Sequence, residues 1–268
     1  MAYNKYYVYK EQVSRDNGLT WSYTGNETPS GSPIATYDTL AECEGGYEPA
    51  PTGIKYRATY IGGEVYNLSC FGEHGTLTSG NTYHSGYFSS AVTTAQIGDC
   101  VTAIGTSAFA GFESLSRLNS IIDGVGIIPS GVTSIDDGAF ACCRSLTAIT
   151  IPSGVTSIGE VAFYGCSTLT SINIPSGVTS IANYTFSSCY NLTGITIPSG
   201  VTTIGISAFE GCSSLASITC LATTPPTLGR DVFDNTNNCP IYVPSGSVSA
   251  YKSASGWSTY ASRIQAIP

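Results

Sequence analysis

The sequence predicts a β-rich solenoid with a β-hairpin cap at its N-terminal end and a β/α cap at its C-terminal end. Three observations carry that prediction. A 23-residue sentence, V-T-S-I-x-x-x-A-F-x-x-C-x-x-L-T-x-I-x-I-P-S-G, is written nearly four times, in copies beginning at Val132, Val155, Val178 and Val201. An earlier copy begins at Val101 and is eight residues longer, so Phe109, Phe140, Phe163, Phe186 and Phe209 recur at intervals of 31, 23, 23 and 23. Within the copies, β-branched residues alternate with small polar ones, and in all but the Val201 copy they stop at Pro-Ser-Gly. A unit this short cannot enclose a core alone, so neighbours must stack to bury one.

Each coil can be assigned element by element. Leu-Thr-x-Ile-x-Ile is a strand whose Leu146, Ile149 and Ile151 point inward, as do Leu169, Ile172 and Ile174 one coil later. Pro152, Pro175 and Pro198 end the strand because Pro has no N–H to give the ladder. Ser-Gly turns the chain, and Val-Thr-Ser-Ile makes the opposite wall with Val155 and Ile158 inward. Ala162-Phe163-x-x-Cys166 reads as a short helical or 3₁₀ turn that seats Phe and Cys in the core. Successive coils should lie ~4.8 Å apart, the spacing of paired strands. The eight extra residues between Leu118 and Gly131 read as a loop between coils.

The flanks divide as follows: residues 1–47 a small β domain, 48–53 a linker, 54–94 the hairpin cap, 95–220 the array and 221–268 the C-terminal cap. Tyr3 to Val13 is aromatic and β-branched, a strand signal. Ser14 to Trp21 resembles the Asp-box, S-x-D-x-G-x-T-W, in which Asp16 accepts backbone N–H bonds, Gly18 supplies a positive φ and Trp21 packs beneath a hairpin. A sialidase propeller would repeat the box, whereas this chain has one copy and few Arg, so the box reads as a self-stabilised hairpin. Residues 54–70 alternate around Gly62-Gly63 as a hairpin, and together with a strand at Ala95-Gln96-Ile97 they cover the open end of the solenoid. In the C-terminal cap, Ile241 to Val243 is a strand, Ser247 is the N-cap of a helix reaching Ala254, and Trp257 closes the last apolar coil.

Composition excludes several functions. Charged residues make up 10% of the chain, against roughly 25% in an average soluble domain, and the net charge of -8 argues against sequence-independent nucleic-acid binding. No apolar run approaches the ~20 residues of a membrane span. The first ten residues lack the apolar region of a secretory signal, so export information is either absent from this sequence or of another kind.

Of the ten cysteines, Cys143, Cys166, Cys189 and Cys212 recur three residues after Phe, in the slot that holds Phe112 in the Val101 copy. A slot that takes either Cys or Phe is an apolar interior slot, and free Cys behaves there as a small hydrophobe. A zinc site would need paired ligands, and His74 and His84 both lie outside the repeats. No metal or cofactor is expected. Cys43, Cys70, Cys100, Cys142, Cys220 and Cys239 lie off this ladder; Cys220 with Cys239, or Cys70 with Cys100, could pair in an oxidising setting, and spacing does not fix the choice.

The repeat sentence, in five copies in register over about residues 95–220, resembles the BspA-type leucine-rich repeat. The stretches A-T-T-P-P-T-L, I-Y-V-P-S-G and A-Y-K-S-A-S-G-W resemble the end unit of that family. The combination with a short Asp-box-bearing unit resembles proteins of anaerobic gut bacteria. The resemblance implies a leucine-rich-repeat binding protein of the cell surface or a secreted one, engaged in adhesion to proteins or glycans on host or bacterial surfaces, and acting as a monomer. A second expectation is a structural or receptor-binding component of a phage or prophage particle, since virion proteins need no secretion signal.

No catalytic constellation is present: G-x-S-x-G, H-E-x-x-H and a Gly-rich phosphate loop are all missing, and the chain is expected not to be an enzyme. Asp136, Asp137, Glu160 and Glu210 read as a solvated face. Binding is therefore assigned to the outward strand positions, Ala148 and Thr150, Ser171 and Asn173, Gly194 and Thr196, Ser217 and Thr219. These form a flat polar ladder whose affinity would come from extent. Tyr164, Tyr184 and Tyr190, on adjacent coils away from the ladder, form a second candidate contact patch, because hot spots favour Trp, Tyr and Arg.

Overall fold

The computed structural model describes residues 93–97, 101–119 and 124–268, and in the preceding chain the backbone of the strands Tyr6–Val8, Gln12–Val13, Trp21–Ser22, Ala35–Tyr37, Tyr56–Ile61, Val65–Cys70 and Gly75–Leu77. Asp16, Gly18, residues 48–53, His74, His84, Cys43 and Cys100 lie outside the described residues, as does the side chain of Cys70.

Each coil passes through three walls, and each wall is a column of hydrogen bonds between coils. The first wall is the predicted strand: Thr94–Ile97, Arg117–Leu118, Val125–Ile127, Ala148–Thr150, Ser171–Ile172, Gly194–Ile197, Ser217–Cys220, Ile241–Val243 and Ile264–Ala266. Its strands pair in parallel, with Ile149 opposite Ile172 and Ile195 opposite Ile218. The second wall stacks Val101–Ile104, Ser134–Ile135, Ser157–Ile158, Ser180–Ile181, Thr203–Ile204 and Thr227–Leu228. In the first wall bonds run both ways between coils, Thr170 N–H donating to Thr147 O at 2.7 Å and Ile128 N–H to Thr150 O at 3.1 Å; in the second, Thr156 N–H donates to Thr133 O at 2.9 Å.

The third wall corrects the expected helical or 3₁₀ turn. The Ala-Phe-x-x-Cys segments are runs of consecutive turns, and in each run two residues four apart take left-handed φ: Ser107 and Gly111, Gly138 and Cys142, Val161 and Gly165, Tyr184 and Ser188, Ser207 and Gly211. A right-handed helix admits no such residues. What the geometry achieves is to aim alternate N–H groups at the next coil: Phe163 N–H donates to Thr185 O and Phe186 N–H to Ala208 O, both at 2.9 Å. Here the earlier coil donates to the later one. All three walls thereby satisfy their backbone from the neighbouring coil, which is why an isolated coil has no stable form.

The core lies between the walls. Phe109, Phe140, Phe163, Phe186, Phe209 and Phe233 stack with centroids 5.2 to 5.7 Å apart and planes within 16° of parallel, the offset arrangement that suits ring quadrupoles. Leu146, Ile149, Ile151, Leu169, Ile174, Val155 and Ile158 are buried as predicted; Ile172 is partly buried and packs on the same cluster.

Two boundaries read from the sequence shift. The eight-residue insertion is more than a loop, because Val125–Ile127 adds a strand to the first wall between Leu118 and Ile149. Gly126 permits this rung: a Cβ there would come within 3.1 Å of the Ile149 side chain and 3.5 Å of Leu118. The coil pattern also runs on beyond Cys220. Thr227 pairs with Thr203, Phe233 joins the ring stack and Ile241 pairs with Ile218. Thr236 occupies the Cys slot of this further coil, three residues after Phe233, and its hydroxyl donates to Phe233 O at 2.7 Å.

At the N-terminal end, Tyr56–Ile61 and Val65–Cys70 form the antiparallel hairpin expected around Gly62-Gly63, and Val65–Cys70 pairs in parallel with Thr94–Ile97. The same sheet includes Tyr6–Val8, paired to Thr59 and Tyr60, and Gln12–Val13 pairs antiparallel with Trp21–Ser22.

At the C-terminal end, Trp257 is buried 5.8 Å from Phe233, in the next place of the aromatic column. The helix spans Val248–Ser253. Ser247 stands at its N-cap but makes no capping bond; its hydroxyl donates instead to Thr223 O at 2.7 Å. That carbonyl lies in the A-T-T-P-P stretch, where Pro225 and Pro226 have no N–H to pair and the chain's carbonyls need outside donors.

Candidate binding faces

The pleat of the first wall decides what faces outward. Ile149, Ile195 and Ile218 are buried, so their neighbours project to the other side. Thr150, Ser171, Asn173 and Thr196 are exposed, and Ala148, Gly194, Ser217 and Thr219 are partly exposed. The register aligns Ala148 with Ser171, Gly194 with Ser217, and Thr196 with Thr219. The eight strand positions are thus brought into two rows on one face.

These side chains do different work. Asn173 is engaged: its Nδ2 donates to Ile151 O at 2.8 Å and its Oδ1 accepts Ile151 N–H at 3.0 Å, so the amide acts as one more backbone rung. Asn119 does the same to Ile97. The Thr that follows Leu in three of the copies is engaged too, Thr147, Thr170 and Thr193 each donating a hydroxyl to the carbonyl one coil earlier. By contrast, Thr150, Thr196 and Thr219 make no side-chain hydrogen bond among the described residues, and their hydroxyls are available.

The outward row extends past the predicted residues at both ends. Ile127, 42% exposed, stands opposite Thr150, and Tyr242 stands opposite Thr219 with Gln265 beyond it. Tyr242 is the one ring on this face among the described residues from Ala148 onward. Its place was legible, since I-Y-V-P matches the I-x-I-P of the coils, but only once the extra coil is recognised.

The tyrosines sit on the turn wall. Tyr164, Tyr184 and Tyr190 are 40%, 37% and 51% exposed. Among the described residues no aromatic contact joins any two of them. Tyr184 occupies a left-handed slot at φ 55°, and Tyr190 reaches the next coil, where a Cβ on Gly211 would lie 3.7 Å from its ring.

The acidic positions are less free than a solvated face. Asp137 Oδ1 accepts Glu160 N–H at 2.7 Å, Asn183 Nδ2 donates to Glu160 Oε1 at 2.9 Å, and Asn183 Oδ1 accepts Ile206 N–H at 2.8 Å. This chain of bonds ties coils together along one corner.

The thiols form a column of their own. Cys143, Cys166, Cys189 and Cys212 are buried, and each Sγ donates to the carbonyl of a Phe in an earlier coil at 3.1 to 3.3 Å: Phe109, Phe140, Phe163 and Phe186 respectively. Burial pushes the Cys166 and Cys212 thiols up to about 12 and raises Cys143 and Cys189 well above the usual value. They stay protonated donors, the opposite of metal-binding thiolates. Among the described residues no three His, Cys, Asp or Glu come together as a metal site. Cys220 and Cys239 are both free thiols; Cys239 lies 3.5 Å from an Arg263 nitrogen, while burial pushes Cys220 up to about 12 beside Tyr251. No described helix is long and apolar enough to cross a membrane.

Comparison with known proteins places this geometry. Residues 125–240 match the BspA type Leucine rich repeat region in six copies. A solved T. pallidum Leucine Rich Repeat protein superposes with a TM-score of 0.53 at 22% identity, over 72% of this chain and 91% of that one, and shares the fold. A leucine rich cell surface protein from Faecalibacterium prausnitzii gives 0.45 at 21% identity, over 76% of this chain and 63% of that one, so this chain spans less than two thirds of its length. A leucine-rich repeat protein from Bacteroides ovatus gives 0.36 at 20% identity, over 75% and 69%. No curated protein matches the chain.

Proposed function

We propose, residues 125–240 being a BspA-type leucine-rich repeat array, that this protein is a non-enzymatic binding scaffold of the cell surface. In this reading it engages a protein or glycan partner through the outward face of its first wall, in adhesion. The observation that carries the reading is the row Thr196, Thr219 and Tyr242, whose register is fixed by the ladder and whose hydroxyls bond to nothing else among the described residues; Thr150, two coils earlier, is likewise unengaged. Neighbouring Thr side chains of the same coils are used up in holding the array together. A row of free hydroxyls at strand spacing, ending in one aromatic ring, suits an extended partner bound over many small contacts, with Tyr242 as the anchor. The tyrosines of the turn wall are a secondary contact in this scheme.

Two measurements test it. Peptides shaved from intact producing cells by external protease should include this chain; recovery from purified particles instead would move the site of action to a virion. Immobilised extracellular-matrix proteins and surface glycans should capture the wild-type chain. Capture should fall at least about tenfold, or ~1.4 kcal/mol, in Tyr242→Ala combined with Thr196→Arg. Unchanged capture by that variant, with Tyr184→Ser and Tyr190→Ser also silent, would remove both faces from consideration.

A further inference from the structure

Beside the last coil lies a polar cleft of about 530 Å³, between the loop after Phe233 and the cap segment ending in the final strand. Asn235, Asn238, Asp234, Arg263 and Gln265 line it, with Tyr260 and Pro240 as its apolar part. We propose that this cleft is a binding site for a neutral saccharide, additional to the strand face and independent of it.

The loop is built differently from its counterparts. In the coils ending at Phe109, Phe163 and Phe209 the second left-handed slot is glycine, Gly111, Gly165 and Gly211; here it is Asn235, at φ 57°. Asn237 and Asn238 are left-handed as well, at 45° and 47°. Asn is the side chain that tolerates this backbone while adding an amide. Elsewhere in the array the amides of Asn119 and Asn173 are consumed on backbone rungs and that of Asn183 on Glu160 and Ile206, while exposed Asn191 makes no hydrogen bond among the described residues. Those of Asn235 and Asn238 are exposed and make no hydrogen bond among the described residues.

The loop is also held rigid from beneath. Arg263 Nε donates to Cys239 O at 2.8 Å and Nη2 to Thr236 Oγ1 at 3.0 Å, while its guanidinium stacks 5.5 Å over the Tyr260 ring. Thr236 is in turn bonded to Phe233 O. The free amides are therefore presented on a fixed frame, which lowers the ordering cost of binding. Charge decides the ligand class. Asp234 stands on the same rim as Arg263 and accepts the Tyr260 hydroxyl at 3.4 Å, so the cleft offers both signs together with amides and hydroxyls. An ionised ligand would lose its hydration without meeting a net opposite charge. Vicinal hydroxyls, each donor and acceptor at once, match planar amide, carboxylate and guanidinium groups pairwise, and the volume lies within the range of small-ligand sites.

The test is a titration of the ¹⁵N-labelled full chain with lactose, cellobiose and N,N′-diacetylchitobiose, following the side-chain amide signals of Asn235 and Asn238. At least one sugar should give saturable shifts on those signals. The Asn235→Gly/Asn238→Gly variant keeps the left-handed backbone and deletes both amides; it should lose at least about tenfold in affinity with circular dichroism and melting temperature unchanged. Gln265→Ala should weaken binding in the same direction. Thr196→Arg should leave it intact, which separates this site from the strand face. The proposal is overturned if none of the sugars gives saturable shifts, if the double variant binds like wild type, or if 3′-sialyllactose binds more tightly than lactose.

Discussion

A coil in the middle of the array and the closing unit at its C-terminal end solve the same problem by different chemistry. In the middle, the neighbouring coil supplies partners that turns within the coil do not: Phe186 N–H finds Ala208 O, and Cys212 Sγ finds Phe186 O. At the end there is no next coil, and side chains take over. The Tyr260 hydroxyl accepts Phe233 N–H at 3.4 Å, Trp257 Nε1 donates to Pro226 O at 2.7 Å, Tyr251 Oη to Ala222 O at 2.8 Å and the Ser247 hydroxyl to Thr223 O. Trp257 and Tyr260 occupy the Phe and Cys slots of a coil that is otherwise rebuilt. The difference teaches that a solenoid end is closed by converting a repeated backbone column into unrepeated side-chain bonds.

The sharpest way to break the comparison is to remove one ring from each region. Phe186→Ala and Trp257→Ala should each lower stability by about 3–5 kcal/mol, with Trp257→Ala toward the upper end because it also orphans Pro226 O. Hydrogen exchange should distinguish them. Loss of Trp257 exposes the last coil first, whereas loss of Phe186 opens the array at its centre. Uniform exchange in both variants would refute the distinction.

A smaller effect isolates a single cap bond. Tyr251→Phe keeps the ring against Trp257, 4.7 Å away, and strips the donor from Ala222 O. Urea unfolding should show a loss of about 1–3 kcal/mol, the cost of an unsatisfied buried acceptor.

The thiol column gives the middle region a pH signature. The folded values of Cys166 and Cys212 lie at about 12, above the ordinary 9.0. Raised folded values mean that the protonated form is favoured in the native state, so its full contribution is present below 9.0 and is lost as pH rises through about 12. Stability should therefore decline over that window, and the decline should be shallower in Cys166→Ala/Cys212→Ala. An identical slope in the variant would show that other groups govern it.

The smallest expected effect tests the turn wall. Val161 is β-branched yet held at φ 49°, where its neighbours in register include Gly138. Val161→Gly should relieve that strain and, after the entropic cost of glycine, raise stability by about 0.5–1 kcal/mol. A loss of stability would mean that Val161 packing outweighs its backbone strain.

Much of this molecule was legible in its residues. The 23-residue spacing of Phe dictated stacking, the Ile-x-Ile alternation dictated which side chains face inward, and the Cys slots read correctly as interior. The candidate strand face followed from the same alternation. What the pattern could not tell was which outward polar groups are spent. Thr170 and Thr150 are the same residue type on the same wall, yet the Thr170 hydroxyl reaches Thr147 O and that of Thr150 stays free.

The sequence by itself determined the period, the walls and the core, because those depend on hydrophobic alternation that repeats along the chain. The tertiary structure alone decided where the pattern continues in disguise: the added rung at Gly126, the coil carried by Phe233 and the rebuilt end at Trp257. It also decided the direction of the hydrogen bonds in the turn wall and the convergence of Asn235, Asn238 and Arg263 on one cleft. These depend on which backbone groups a neighbouring coil leaves unpaired, and that is a property of the stack, invisible in any one copy of the repeat.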